Sequence, residues 1–160
     1  MEQYIQPFVQ VTTSVFRDFV RREITPERAY FAGKEAFLNW DISGLIALTG
    51  EVRGMVALSM KNATASKITG ILTGIQGTIV TDDMVDAVGE IVNIITGNVK
   101  RNLENMFRII ISLPRVIHGK AHLVVIPDAR TRLLCIPFRI FGDETINLSI
   151  NIDENKSGDD

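Results

Sequence analysis

The chain is short of several things, and each shortage excludes something. It has one cysteine, Cys135, in 160 residues, so no intramolecular disulfide can form. Cys135 sits in an apolar run with no base or basic cluster beside it in sequence, which predicts a buried, inert thiol. No apolar run reaches about 18 residues, so no membrane span is expected. The first residues do not pair a basic stretch with an apolar one, so no secretory leader is expected, and the expected compartment is the cytoplasm. Basic residues are not in excess: 17 Lys and Arg face 19 Asp and Glu, and the formal net charge is -2. Scattered and outnumbered, they argue against a nucleic-acid surface. The glycines of residues 70–77 lack the Gly-Lys-Ser/Thr ending of a phosphate loop, and no G-x-S-x-G elbow occurs. His118 and His122 fall four apart, on one face of a predicted strand, without Cys, Asp or Glu at zinc spacing. No metal site of the chain's own is expected.

What remains is ordinary globular material, 46% hydrophobic and 22% charged. It fits one domain, placed at residues 1–150, followed by an acidic tail at 151–160 expected to be disordered. Apolar residues at three- and four-residue spacing from Ile5 to Val20 predict a helix stopped by Thr25 and Pro26. Residues 42–49 and 54–60 read as a hairpin joined by a loop with Gly50 and Gly54 at its ends, and a strand is possible near residues 29–32. A short helix over residues 63–72 is capped by Asn62, and a long one over 82–105 by Thr81. Strands are predicted over 109–113, 116–126, 133–141 and 145–150, with turns at 127–130 and at Gly142 and Asp143. Trp40 and Phe37 are assigned to the core rather than to an interface. Segregated helices and antiparallel strands make an α+β fold, an antiparallel β-sheet covered on one face by long helices.

The long helix carries the chemistry. Met84, Val88, Ile91, Val92, Ile95, Val99 and Leu103 gather on one side. Opposite them Asp86, Glu90, Asn93, Gly97 and Lys100 recur at spacings of four, three, four and three, one outward row. A merely solvated face has no use for Asn93, whose side chain competes for backbone hydrogen bonds, or for Gly97, which costs roughly 1 kcal/mol against alanine. Gly89 on the flank costs as much. Small residues beside Glu90 and Asn93 would let another protein's backbone approach.

The row Asp86, Glu90, Asn93 resembles the signature of the CheC/CheX/FliY phosphatases: an Asp or Ser four residues before a Glu, and an Asn three after it. That signature also has a proline some twenty residues on; Pro114 stands 21 positions past Asn93, near that spacing. The element order resembles CheX over roughly residues 1–150. CheC and FliY carry two such motif helices, whereas here residues 62–69 fill the other helical place without a Glu–Asn pair. The resemblance implies a phosphatase acting on the aspartyl phosphate of a phosphorylated CheY-like response regulator. It implies that Asn93 positions the attacking water and that Glu90 docks on a receiver lysine, with Asp86, Gly97 and Lys100 as partner contacts. Mg²⁺ would belong to the receiver, with no cofactor of the chain's own. CheX proteins are homodimers, which implies a homodimer here and would cover exposed strand edges.

Two alternatives stand beside this reading. One is a non-catalytic CheX-like module that docks a signalling protein. The other is a hotdog-type acyl-thioester hydrolase, which would need its central helix enveloped by the sheet.

Overall fold

Alternation along the strands and 3.6-residue periodicity along the helices meet in one antiparallel sheet. Its strand order runs Thr25–Pro26, Leu133–Ile140, Glu144–Glu154, Val52–Met60, Trp40–Gly50, Ile109–Ile111, with Tyr30–Ala32 also on Leu133–Ile140 and Arg115–His122 also on Trp40–Gly50. A computed structural model of the chain describes residues 2–32, 39–122 and 132–154. The strands are β1 (Thr25–Pro26), β2 (Tyr30–Ala32), β3 (Trp40–Gly50), β4 (Val52–Met60), β5 (Ile109–Ile111), β6 (Arg115–His122), β7 (Leu133–Ile140) and β8 (Glu144–Glu154). The helices are α1 (Ile5–Val15), α2 (Asn62–Thr73) and α3 (Thr81–Leu103). The fold is the expected α+β arrangement. Its core is the layer between helices and sheet, where Phe8, Phe16, Ile42, Ile46, Leu58, Ile91, Ile95, Phe138 and Leu148 are buried.

Several boundaries differ from the sequence reading. One π-helical turn, Phe16–Val20, prolongs α1, which ends where Arg21 turns left-handed at φ 60°. Thr25 and Pro26 therefore do not stop the helix. They form β1 on an edge, where a residue without an N–H is tolerated. The β3–β4 loop is only Glu51, entered through Gly50 at φ 109°, and Gly54 lies within β4. Asn62 is the first residue of α2 and not its cap. Its N–H donates to the Asp41 carboxylate on β3, 2.9 Å away, which supplies the acceptor the helix start lacks. Thr81 likewise lies inside α3, whose cap position is Val80, and the helix ends at Leu103 rather than 105.

The chain's end also departs from expectation. Residues 151–154 belong to β8: Asn151, Ile152, Asp153 and Glu154 pair with Met55, Gly54, Arg53 and Val52. Glu154 then accepts the Tyr4 hydroxyl at 2.7 Å, tying the amino-terminal turn to the last strand. Burial, with this hydrogen bond, pushes the Tyr4 phenol up to about 12. Phe37, the predicted turn at 127–130, the last residues of the 116–126 strand and the tail from 155 lie outside the described residues.

The helices cover one face only. On the other, Ser43 and Ser59 pair across β3 and β4, with Asn147 and Ser149 alongside on β8. All four are buried, and they interlock through bonds of 2.6 Å (Ser43–Ser59) and 2.8 Å (Asn147 to Ser149). Cys135, fully buried as expected, joins this face 3.8 Å from the Ser149 hydroxyl. Trp40 is half-buried.

The seat of α3 on the sheet is Gly44 of β3. A Cβ placed there would lie 2.9 Å from Val92 Cγ1 and 3.2 Å from the Val88 carbonyl oxygen. Backbone cannot yield as a side-chain tip can, so even one methyl group must push the helix away. Gly44→Ala is expected to destabilise the protein by about 1–3 kcal/mol, read as a lower urea midpoint with an unchanged slope.

Candidate functional site

Because Val88, Ile91, Val92, Ile95 and Val99 are sealed against the sheet, the opposite side of α3 has to face outward. Asp86 and Glu90 are exposed and Asn93 and Gly97 half-buried, one after another along the same side. One turn of helix separates Glu90 from Asn93, which brings their side chains within reach of one target. Neither side chain, nor that of Asp86, has a hydrogen-bonding or ionic partner among the described residues. Two carboxylates four apart on a helix repel one another, and no cation of this chain relieves them within that set.

Lys100 continues the row but is engaged differently. Its ammonium lies 3.9 Å from the Glu104 carboxylate, one turn on. It also lines a depression of about 610 Å³ with Glu51, Met106 and Arg108. Asp82, Asp83 and Lys100, Arg101 occupy the first and last turns of α3, where they complement the helix dipole as expected.

The two helix glycines divide. A Cβ at Gly97 would meet nothing within 4 Å, so no packing inside the protein calls for it. A Cβ at Gly89 would lie 3.3 Å from Val116 Cγ2 and 3.9 Å from Pro114 Cβ. Gly89 is buried and belongs to the internal seam between α3 and β6, not to the open face the sequence suggested. The same contact answers where Pro114 lies: beside the turn of α3 that leads from Gly89 to Asn93. Sequence spacing alone could not place it. A proline dividing two apolar runs, however, is itself a sign of a break in an edge strand.

The histidines do not form a site together. The register of β6 on β3 shifts between Trp40 and Ile42, and the two imidazoles find separate partners. His118 Nε2 lies 3.1 Å from Asn62 Oδ1. His122 donates from Nδ1 to the Gly119 carbonyl at 2.7 Å, which leaves Nε2 to accept the Ser43 hydroxyl at 2.7 Å. Ser43 is fully buried, so this serine–histidine pair offers no accessible nucleophile. Among the described residues no group of three or more His, Cys, Asp or Glu could hold a metal ion. No described helix is long and apolar enough to cross a membrane. Nor does the sheet wrap α3 as a hotdog fold would: the helix lies on one face with its acidic row open.

This architecture is shared with solved structures. CheX from Vibrio vulnificus is 25% identical, aligned over 94% of this chain and 99% of that one, with a TM-score of 0.85. The CheX of a CheX–CheY–BeF₃–Mg²⁺ complex from Borrelia burgdorferi is also 25% identical, over 94% and 98% of the two chains, with a TM-score of 0.77. Thermotoga maritima FliY shares the fold at 13% identity, over 96% and 89%, with a TM-score of 0.69. No curated protein matches the chain. Residues 42–139, which hold most of β3, then β4, α2, α3, β5, β6 and most of β7, match the family described as chemotaxis phosphatase CheX. The chain belongs to the CheX family.

Proposed function

We propose that the chain is a phosphatase for the aspartyl phosphate of a CheY-type receiver domain, worked by Glu90 and Asn93. The observation that carries this reading is the open Glu90–Asn93 pair, unpartnered among the described residues, on the central helix of a CheX family member. None of the depressions of about 400, 610 and 510 Å³ is lined by either residue. A small substrate is normally buried in a concavity, whereas a helix face presented outward suits a folded protein. The relative from Borrelia burgdorferi is seen with CheY, BeF₃ and Mg²⁺, a partner of that kind.

The chemistry asks little of the chain. Water attacks phosphorus, the bond between phosphorus and the aspartyl oxygen breaks, and free carboxylate and inorganic phosphate leave. Asn93 holds the water in line through its carboxamide without taking its proton, so its contribution is positioning. Glu90, with no cation beside it among the described residues, pairs with the receiver's active-site lysine and fixes the helix against the phosphoryl group. Asp86 and Lys100 contact the rim, and Gly97 lets the receiver approach the helix backbone. Mg²⁺ is the receiver's, no cofactor is held by this chain, and the reaction takes place in the cytoplasm.

Three outcomes are expected. With a phosphorylated CheY-type receiver and Mg²⁺, wild type accelerates phosphate release. Asn93→Ala lowers kcat by two orders of magnitude or more with an unchanged circular-dichroism spectrum, and Glu90→Ala mainly raises KM. Receiver binding without turnover would instead make the protein a docking module.

Gly97→Ala is expected to raise stability by about 1 kcal/mol in denaturant titration, the helix-propensity difference with no clash to offset it. Gly97→Leu should weaken receiver binding at least tenfold. Undiminished binding by Gly97→Leu would remove the close-approach role.

The protein also pairs with itself through a sheet edge. Tyr30 and Phe31 are exposed on one edge, and Ile110 and Ile117 on the other; uncovered apolar edges invite strand addition. Light scattering at micromolar concentration should give twice the 17.8 kDa of one chain. A monomeric mass would refute the pairing.

A further inference from the structure

Leu113 is the most exposed apolar side chain described, at 86%, yet its backbone is firmly held. Ile111 pairs with Leu48 and Arg115 with Leu45, so residues 112–114 face only residues 46 and 47 of β3. Three residues against two make a bulge, which pushes a side chain out of the sheet. The Ser112 N–H donates to the Ala47 carbonyl at 3.0 Å, and its hydroxyl accepts the Ala47 N–H at 2.9 Å. The Ser112 hydroxyl in turn lies 2.9 Å from the Leu113 carbonyl as donor. On the other side Pro114 rests against the Gly89 notch of α3. Leu113 is thus a leucine in water on a rigid backbone, next in the chain to the proline that rests on the Gly89 turn of α3, with Asn93 one turn beyond.

A side chain on a fixed backbone loses only its own rotamer freedom when a partner covers it, so much of the benefit of its burial goes into affinity. The occupant follows from the backbone. A second copy of the chain adding a strand would need regular edge N–H and C=O groups. Here the edge is interrupted by a bulge and by a proline with no N–H, both of which discourage strand addition. A partner that sits on the Glu90–Asn93 row and reaches past Pro114 would cover Leu113 without pairing strands.

The geometry points to Leu113 as an apolar anchor for the same receiver domain that Glu90 and Asn93 engage. This inference rests on the receiver-phosphatase reading above. It adds a binding contact outside the Glu–Asn row, on a different element of the fold, and assigns it no part in water activation.

The test compares Leu113→Ala and Leu113→Met with wild type. The probe is a CheY-type receiver selected from a panel for binding to the wild type, both phosphorylated and in its BeF₃–Mg²⁺ form. Leu113→Ala is expected to raise Kd for the BeF₃–Mg²⁺ receiver, and KM for the phosphorylated one, about tenfold. The loss falls on KM with kcat at saturation retained, whereas Asn93→Ala does the reverse. Leu113→Met should restore affinity to within about threefold, because it keeps the buried volume. Wild-type affinity in Leu113→Ala, beside an inactive Asn93→Ala, would overturn the anchor and leave the phosphatase reading standing. Dissociation of the dimer by Leu113→Ala at unchanged receiver affinity would also overturn it, giving the leucine to a second copy. A wild type that binds receivers without turnover would sink the phosphatase reading alone, and the Kd comparison would still decide the anchor. A wild type inert toward every receiver would sink both.

Discussion

The contact between Val88 and Val92 of α3 and the bare backbone at Gly44 of β3 sets the direction in which the rest of α3 faces. A helix this close to a sheet cannot roll without driving valine methyls into a strand. Its rotation is held again on the flank, where Val116 and Pro114 close on Gly89. With two seams fixed, the side of α3 bearing Asp86, Glu90 and Asn93 can only point away from the sheet. The order of cause runs from a strand glycine, through helix rotation, to the exposure of a carboxylate and a carboxamide. Preorganisation of this kind is what a positioning catalyst needs, since the chemistry itself demands little from its side chains.

How much of this was legible in the sequence depended on how local the information was. The α3 stripe is local: seven apolar residues at helical spacing identify the buried side, and therefore the outward row, without any knowledge of the sheet. The strands of the β3–β4 hairpin and of β7 and β8 were readable from composition and turn residues for the same reason. The larger failures concern partners distant in sequence. Asn62 looks like a cap, but the acceptor at that helix start is Asp41, 21 residues earlier and on another element. Asn151, Asp153 and Glu154 look like a polar tail, yet β4 supplies a ladder for them. Four-residue spacing puts the two histidines on one face of a regular strand, but the register of β6 on β3 is irregular and they have separate partners.

The site shows the same division. Glu90 and Asn93 announce themselves because each is an uneconomical choice or a marked spacing on a helix. The two glycines could not be told apart in sequence, since both cost α3 about the same propensity. Only the sheet distinguishes them: one faces β6 and is spent on packing, the other faces empty space. Pro114 was a matter of counting residues until the bulge before β6 brought it to Gly89.

That bulge gives the β5–β6 edge two unlike parts. Around Ile110 and Ile117 the backbone follows a regular ladder to β3, and its outer groups remain fit for strand pairing. Between them, at Ser112 to Pro114, the ladder is broken and the pattern of outward donors with it. An edge strand usually has to choose between inviting a partner strand and repelling one. A local break lets one edge hold a self-pairing segment and, beside it, a segment that can be read only through its side chains. Such a layout leaves Leu113, beside Pro114, exposed without opening that stretch of edge to strand addition. The constraint that seats Pro114 against Gly89 therefore couples three things: the rotation of α3, the position of Leu113, and the interruption of the edge.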